Sequence, residues 1–578
     1  MEVKRSDYVR FFIPLFAYDL LILISSVVRR PFGVSEVLQH LMFLSGFSIA
    51  YFFGIRESVK NVQAVVKFKQ KSPMLVPLVF FVISSLLTAV VLIPGEKDAV
   101  PMRVAGIATA VFAYVCGMFV MYRFLNAEFR ESVPAGKQCG GLRKRLLLIN
   151  PVDTVRGGLT NSESSRFPPL GLGIIAALTP EDEYETVLID ENFESFEYMP
   201  ADLVGITAFT AAAPRAYEIA SLYRENGIPV VMGGIHASMM TEEALRYVDC
   251  VVVGEAEPVW PVLLRDFSGG MLKPVYESPL IDLKNMPVPK REIFDPRYPI
   301  VTVQTSRGCP MDCSFCSVTP FNGRKFRQRP VEEVLDELES IEHQYIFFID
   351  DNIIGHSRAH KERALRLFRG MVDRGLDKRW FCQSSMNFGE DDELLRWARK
   401  AGCRMVFLGI ESPDNNELAE VDKNLNRKIN YKQVLRSINR NKIAVLGAFI
   451  NGTDHETGAS LKCKADYILK NRIDVIQATI LTPLPGTRLF DRLLSENRLL
   501  FTDFPEDWKR YDMTELTYRL QNLSGERFSI LHGENTRRFY SRKNLLKMFF
   551  RTAVATKSLE CAFWAYNSNA NYRAAAVR

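Results

Sequence analysis

Apolar and polar positions change rhythm three times along this chain. Up to about residue 130, long apolar stretches recur at 11–28, 38–55, 74–93 and 104–121, each close to the length that crosses a bilayer. Lys4, Arg5 and Arg10 precede the first, Arg56, Lys60, Lys67, Lys69 and Lys71 follow the second, and Arg123, Arg130, Lys137, Arg143, Lys144 and Arg145 follow the fourth. The other two loops are poorer in Lys and Arg, so the positive-inside rule predicts four transmembrane helices in residues 1–130 with both ends in the cytoplasm. A cleaved signal peptide does not fit, because further spans follow. Asp19 inside the first stretch keeps open the alternative of buried helices in a soluble bundle.

After a basic linker at 135–145 the rhythm shortens. Strand-like runs at 146–150, 186–190, 203–207, 230–233 and 250–254 alternate with helical ones at 170–178, 214–226 and 241–247. This alternation predicts a doubly wound parallel sheet over residues 144–268. Its ligand belongs outside the carboxyl ends of the strands, which carry Thr207-Ala208, Gly233-Gly234-Ile235-His236 and Gly254-Glu255-Ala256-Glu257. Residues 269–298, rich in proline and charge, read as a linker.

A second series then begins, with strands expected at 300–305, 345–350, 380–384, 405–410, 444–450 and 475–481 and amphipathic helices at 331–341, 358–374 and 390–400. Six strand-helix units over residues 299–498 are too few for the usual eight-unit barrel. From 499 to 578 the chain is mixed, mostly helical and basic. Its aromatics and cations suit either a helical cap on the barrel or a bilayer surface.

Composition narrows the class. A net charge of +6 over 578 residues is small for a nucleic-acid protein, whose basic residues cluster. Ten cysteines at irregular spacing give no disulfide framework and point to a reducing compartment.

The candidate chemistry sits directly after the first strand of the second series, in Arg307-Gly308-Cys309-Pro310-Met311-Asp312-Cys313-Ser314-Phe315-Cys316. Three cysteines at C-x3-C-x2-C spacing in one loop can hold three irons of a 4Fe-4S cluster and leave the fourth open. A structural zinc site would need a fourth ligand, and none lies near in sequence. Three metal-free thiols are the remaining reading. Other strand ends in the same series are polar or glycine-rich: Asp350-Asp351-Asn352, Ser384-Ser385, Gly409-Ile410-Glu411-Ser412 and the run from Gly447 to Gly452. Glycine admits a ligand close to the backbone, and carboxylates accept hydrogen bonds from ribose or ammonium groups. Capping of a helix near Ser357, or a turn role, is the competing reading for Asp350 and Asp351. Gly171-Leu172-Gly173 mimics a dinucleotide fingerprint, but no strand leads into it.

The cysteine run, with aromatic Phe315 before its last cysteine, resembles the signature of the radical S-adenosylmethionine enzymes. The resemblance implies a partial (β/α)6 barrel of the TIM type. It also implies an open iron that binds the amino and carboxylate groups of S-adenosylmethionine, whose sulfonium bond is cleaved to a 5'-deoxyadenosyl radical. On that basis Glu411 and Ser412 lie at the methionine or ribose portion, the stretch from Gly447 to Gly452 lies against the adenine, and Asp350 and Asp351 face the substrate or the ammonium. The preceding domain, through Pro168-Pro169-Leu170-Gly171, Gly233-Gly234-Ile235-His236 and Gly254-Glu255-Ala256-Glu257, resembles the cobalamin-binding, Rossmann-like domain of one subgroup. His236 is a candidate pocket residue, with a loop histidine packed beside the Gly-Gly turn as the alternative. The wider cobalamin pattern D-x-H-x-x-G finds Asp153-Thr154-Val155-Arg156-Gly157-Gly158, where valine cannot ligate cobalt.

Cobalamin beside a radical cluster implies methyl transfer to an unactivated carbon. Tethering to a bilayer favours a lipid, isoprenoid or lipid-linked substrate at the cytoplasmic face of the cell inner membrane, with an electron donor such as flavodoxin or ferredoxin and no nucleic acid. The alternatives are radical cyclisation or carbon-carbon coupling without methyl transfer, and a non-enzymatic Fe-S/cobalamin sensor.

Overall fold

The computed structural model describes residues 143–152 and 166–576. The chain divides into two units, 1–140 and 141–578, and the second is described below. The four predicted spans and the Asp153–Gly158 match lie outside the described residues. Among the described residues no helix is long and apolar enough to cross a membrane.

The first layer is a six-stranded, wholly parallel sheet. Its elements run β1 (Lys144–Asn150), α1 (Leu170–Leu178), β2 (Tyr184–Asp190), β3 (Leu203–Thr207), α2 (Ala213–Glu225), β4 (Val230–Gly233), α3 (Ile235–Met239), α4 (Thr241–Ala244), β5 (Cys250–Val253), α5 (Trp260–Ser268) and β6 (Val275–Glu277). The order β2-β1-β3-β4-β5-β6 reverses direction between β1 and β3, the place where such sheets open a ligand crevice. Continuous apolar strands such as Leu146 to Ile149, all fully buried, follow from burial on both faces. Strand β6 corrects the expected linker: Val275–Glu277 adds an edge strand. Three residues are too few to show an alternation in sequence.

The second layer begins with β7 (Val301–Val303), β8 (Ser306–Arg307), α6 (Val318–Asn322), β9 (Arg327–Gln328), α7 (Val331–Ser340), β10 (Tyr345–Phe348), α8 (Arg358–Asp373), β11 (Arg379–Ser384), α9 (Asp392–Lys400), β12 (Cys403–Glu411) and α10 (Asn415–Glu420). It continues with α11 (Tyr431–Arg440), β13 (Ala444–Asn451), α12 (Gly458–Lys470), β14 (Val475–Ile480) and α13 (Arg488–Ser495), and ends with α14 (Gly525–Phe539), α15 (Arg542–Thr556) and α16 (Leu559–Ala576). Six parallel strands lie in the order β14-β13-β12-β11-β10-β7, while β8 and β9 pair separately and antiparallel. The helices cover one face of the six strands through a core containing Ile346, Phe348, Trp380, Val406 and Val445. The other face carries Phe347, Phe381, Met405, Leu446 and Val475, closed by Ala565 of α16.

The two layers share a core. Val204, Ile206 and Met232 of the first sheet join Ile450, Leu481 and the fully buried Trp508 of the 3-10 turn Glu506–Arg510. The carboxyl ends of both sheets therefore meet around one space.

Candidate active site

The cysteine loop leaves β8 through Gly308. With φ +86° and only 2.4 Å from a built Cβ to the Lys325 carbonyl oxygen, that position has no room for a side chain. The Gly308 N–H donates to Asp351 Oδ2 at 3.0 Å, and Asn322 Nδ2 donates to the same oxygen at 3.1 Å. Asp350 is fully buried and accepts from the Thr305 N–H and hydroxyl at 3.1 and 3.0 Å, and from the Ser306 hydroxyl. Both carboxylates, expected at the cofactor or substrate, thus support the root of the loop. Helix α8 is capped by Ser357 in a box with His360, so the capping alternative falls as well. Burial raises both carboxyl groups, Asp351 to about 6. Arg363, also buried, donates to the Thr305 hydroxyl at 2.9 Å and to the Arg329 carbonyl at 2.8 Å.

The far side of the loop is pinned by backbone bonds from Ser314 N–H to the Val421 carbonyl at 3.2 Å and from Leu489 N–H to the Ser314 carbonyl at 2.9 Å. Phe315 packs into the core shared by the layers. Cys313 is buried and Cys309 and Cys316 are half-buried. Burial pushes all three thiols up, Cys316 to about 12, while the Lys423 ammonium opposes the shift at each. Thiols so placed become ligands only when a metal supplies positive charge. Among the described residues no three His, Cys, Asp or Glu side chains converge on a single ion. Three thiols in one loop are the donor set of a cubane cluster, in which each thiolate takes its own iron.

Sequence reading missed Lys423. Burial works against its charge, but Glu411 at 2.8 Å and the nearby thiols hold its pKa above the ordinary lysine value. Glu411 reaches it because β12 bulges between Gly409 and Glu411 and Glu411 adopts φ +64°, a conformation costing a non-glycine residue about 1–3 kcal/mol. A half-buried ammonium beside the cysteine loop can hold a carboxylate, and Glu411 can take an ammonium or hydroxyl. These are the groups that the amino-acid end of S-adenosylmethionine presents. Its one trace in the sequence is a lysine twelve residues after Glu411, just past helix α10.

Ser412 donates to Glu417 at 2.7 Å. Gly452, at φ +104°, ends β13 with its N–H on Glu456 at 2.5 Å and its carbonyl on the Tyr518 hydroxyl. Its built Cβ would lie in ordinary contact with Phe528, Ile480 and Leu516 at 3.6–3.8 Å. Gly447, expected against the adenine with Gly452, sits within β13, packed against Ile410, Phe449 and Ile473.

On the first sheet the carboxyl edge is built from small residues: Thr207-Ala208, Gly233-Gly234 and Gly254. Gly234 has φ +90° and a built Cβ 2.5 Å from Thr207 Oγ1, so the backbone lies flat there. Phe209 stands beside it 79% exposed. A low edge with an uncovered aromatic ring fits the flat face of a corrin.

Two expected pocket residues are committed elsewhere. His236 is fully buried, with Tyr217 Oη at 3.1 Å, Glu243 Oε1 at 3.3 Å and Thr210 Oγ1 at 3.4 Å from its ring nitrogens. Trp508 Nε1 donates to the same Glu243 at 3.0 Å, so this cluster ties the two layers together. Glu255 takes Arg327 in a two-pronged pair at 2.7 and 2.8 Å and Arg307 at 3.2 Å, and Glu257 takes Arg307 at 2.5 Å. The Gly254-Glu255-Ala256-Glu257 run is therefore a staple from the first sheet to the root of the cysteine loop, not an open cofactor wall. With Arg327 on both oxygens, Arg307 on Oε1 and the Ile281 N–H on Oε2, the four acceptor positions of Glu255 are taken.

The inner face of the second sheet is aromatic. Phe347 and Phe381 stack at 4.0 Å and 4°. Phe167 of the first layer lies 4.7 Å from Phe347, and Trp564 of α16 meets Phe381 edge-on at 5.1 Å.

Comparison with known proteins agrees with this division. The B12 binding domain model matches residues 158–264 and the Radical SAM superfamily model residues 303–461. The chain is 30% identical over 401 residues to bacteriochlorophyllide d C-12(1)-methyltransferase of Chlorobaculum tepidum, covering 67% of this chain and 85% of that one. It is 26% identical over 386 residues to hopanoid C-2 methylase of Rhodopseudomonas palustris, covering 63% and 73%. The fold matches the cobalamin-dependent S-adenosylmethionine radical enzyme OxsB, solved with aqua-cobalamin and S-adenosylmethionine, at a TM-score of 0.54 and 16% identity over 73% of this chain and 72% of that one. With its thiol loop, its Lys423–Glu411 pair and its flat first-sheet edge, the chain belongs to the cobalamin-dependent radical S-adenosylmethionine methyltransferase family, as an enzyme that works with a 4Fe-4S cluster, S-adenosylmethionine and cobalamin.

Proposed function

We propose that this enzyme methylates an unactivated carbon of a lipid, isoprenoid or lipid-linked substrate at the cytoplasmic face of the cell inner membrane, where the apolar stretches of residues 1–130 hold it. The observation that carries this reading is the aromatic wall of Phe347, Phe381, Phe167 and Trp564. It offers dispersion and stacking to an apolar body and contains no titratable group that would act as a general acid or base. The names of two relatives, a hopanoid methylase and a bacteriochlorophyllide methyltransferase, point the same way.

When bound, the cofactors supply a hydrogen-abstracting radical and a transferable methyl group; the chain's own residues position and exclude. Asp350, Asp351 and Arg363 hold the cysteine loop, Lys423 and Glu411 offer charges to the amino-acid end of S-adenosylmethionine, and the aromatic wall keeps water from the target carbon. An electron donor of the flavodoxin or ferredoxin type completes the reaction. Arg324 and Arg488, half-exposed or more on the outer side of the loop beside Asp312, suit an acidic carrier.

The test is anaerobic turnover of the reduced, cofactor-loaded protein with S-adenosylmethionine and a membrane lipid extract. The expected result is 5'-deoxyadenosine together with a lipid heavier by one methylene unit, both lost in Cys313→Ala. Loss of two hydrogens without added carbon would assign cyclisation or coupling instead. Methylation confined to soluble small molecules would remove the lipid assignment, and absence of 5'-deoxyadenosine would leave the sensor reading.

A further inference from the structure

Helices α15 and α16 form a hairpin with two unlike sides. The inner side seals the second sheet: Leu545 and Met548 enter its core, Ala565 covers the inner strand face, and Asn569 bonds the Ile476 N–H at 3.0 Å and the Asp474 carbonyl at 2.8 Å. The outer side carries a second apolar stripe that no described residue covers. Leu546, Phe550 and Val554 are 52, 63 and 78% exposed, and Leu559 and Phe563 on the returning helix are 64 and 56% exposed. The first three recur every fourth residue and so share one helix face. Phe549 bridges the helices, 5.4 Å from Phe550 and 5.1 Å from Phe563.

The rim is cationic. Arg542, Lys543, Lys547 and Lys557 are exposed around the stripe and form no ion pair among the described residues. From Arg537 to Arg573 the chain has eight Lys and Arg against one acidic residue, Glu560, whose carboxylate is 3.1 Å from Arg379. On the neighbouring end of α12, Lys470 and Arg472 extend the positive rim beside Lys547.

We infer that this outer face docks on an anionic bilayer surface, the apolar stripe entering the headgroup boundary and the lysines meeting lipid phosphates. An ordinary cap needs one apolar face, and the inner side already supplies it. A second copy of the chain would bring the same cations across a symmetric interface, where like charges repel. A negatively charged lipid sheet satisfies both the exposed rings and the surplus of positive charge. The inference shares with the proposed function only the presence of a bilayer, and it is independent of the substrate.

The test uses the full chain carrying Phe550→Trp, mixed with vesicles of phosphatidylcholine alone or of phosphatidylcholine with phosphatidylglycerol. The emission difference from the parent chain is expected to shift to the blue, and to be quenched by acyl-brominated lipid, on the phosphatidylglycerol vesicles. Adding Lys543→Gln and Lys547→Gln should weaken this response roughly fivefold for each lysine removed, with 5'-deoxyadenosine formation unchanged. A chain that floats with vesicles while the new tryptophan stays unshifted and unquenched overturns the inference and leaves the N-terminal anchor standing. Equal quenching on phosphatidylcholine alone overturns the anionic partner. A shift that follows protein concentration without lipid assigns the face to a second copy. Flotation only on phosphatidylglycerol vesicles, with quenching, supports the hairpin and removes the anchor; failure to float on either removes both.

Discussion

Lys423 keeps its charge where burial alone would remove it, because Glu411 lies 2.8 Å away beside the cysteine loop. Lys423→Met takes away the ammonium and leaves Glu411 without its counter-charge. We expect S-adenosylmethionine binding to weaken roughly ten- to hundredfold, the worth of one charge-assisted hydrogen bond, measured by equilibrium dialysis on the cluster-loaded protein. His532 shows the opposite balance. Its ring stacks on Phe528 at 5.7 Å and faces Asn451 Nδ2 at 3.2 Å, and burial, helped by Lys464, lowers its pKa to about 4. The unfolded chain therefore binds a proton that the folded chain refuses, so this residue favours folding above the ordinary histidine pKa and loses that contribution as pH falls toward 4. The unfolding free energy from urea titration should drop over that window by at most about 1.4 kcal/mol per pH unit from this one residue. The His532→Phe variant should show a correspondingly flatter profile.

At the scale of elements, the end of β13 depends on helix α12. Lys464 is buried between Glu417 at 2.7 Å and Glu456, and also donates to the Ile450 carbonyl at 2.8 Å, while Glu456 takes the Gly452 N–H. One lysine thus fixes both the last peptides of the strand and the carboxylate holding the Ser412 hydroxyl. Lys464→Met leaves two buried carboxylates without a cation, and unfolding free energy should fall by about 3–5 kcal/mol in denaturant titration. A smaller loss is expected for Glu417→Gln, which keeps the Ser412 bond. Strands at this level were legible: 203–207 and 230–233 coincide with β3 and β4, because apolar runs bounded by Gly, Pro and Asp leave a buried strand as the one economical fold. The polar strand ends were legible as places and misread as roles. Asp350 and Glu255 were expected to await ligands, whereas their acceptors are filled by Thr305, Ser306 and Arg327; Asp351 holds Gly308 and Asn322 through Oδ2 alone. Those partners lie 29 to 72 residues away, and no periodicity reports them.

At the scale of the whole molecule, the two layers are coupled through few charges. Arg307 and Arg327 flank the cysteine loop and both end on Glu255. Glu255→Ala would strand two buried guanidinium groups, a loss of about 3–5 kcal/mol. Because the contact crosses the layers, calorimetry should show the single transition splitting in two, with proteolysis appearing first between residues 278 and 300. If unfolding stays single and cleavage does not move, the staple is not what couples cobalamin domain and barrel.

The sequence by itself determined the class of chemistry, since three cysteines within eight residues can serve one cluster wherever the loop is placed, and it determined the parallel layers, since local apolar period sets strand and helix. Tertiary structure alone decided which polar residues remain free for ligands, that Lys423 stands by the thiols, and that the last hairpin has one sealed and one open side. The physical reason is the same in each case: a hydrogen bond or ion pair is made with whatever the fold brings within about 3 Å, and that partner is chosen by the packing of layers, not by neighbours along the chain.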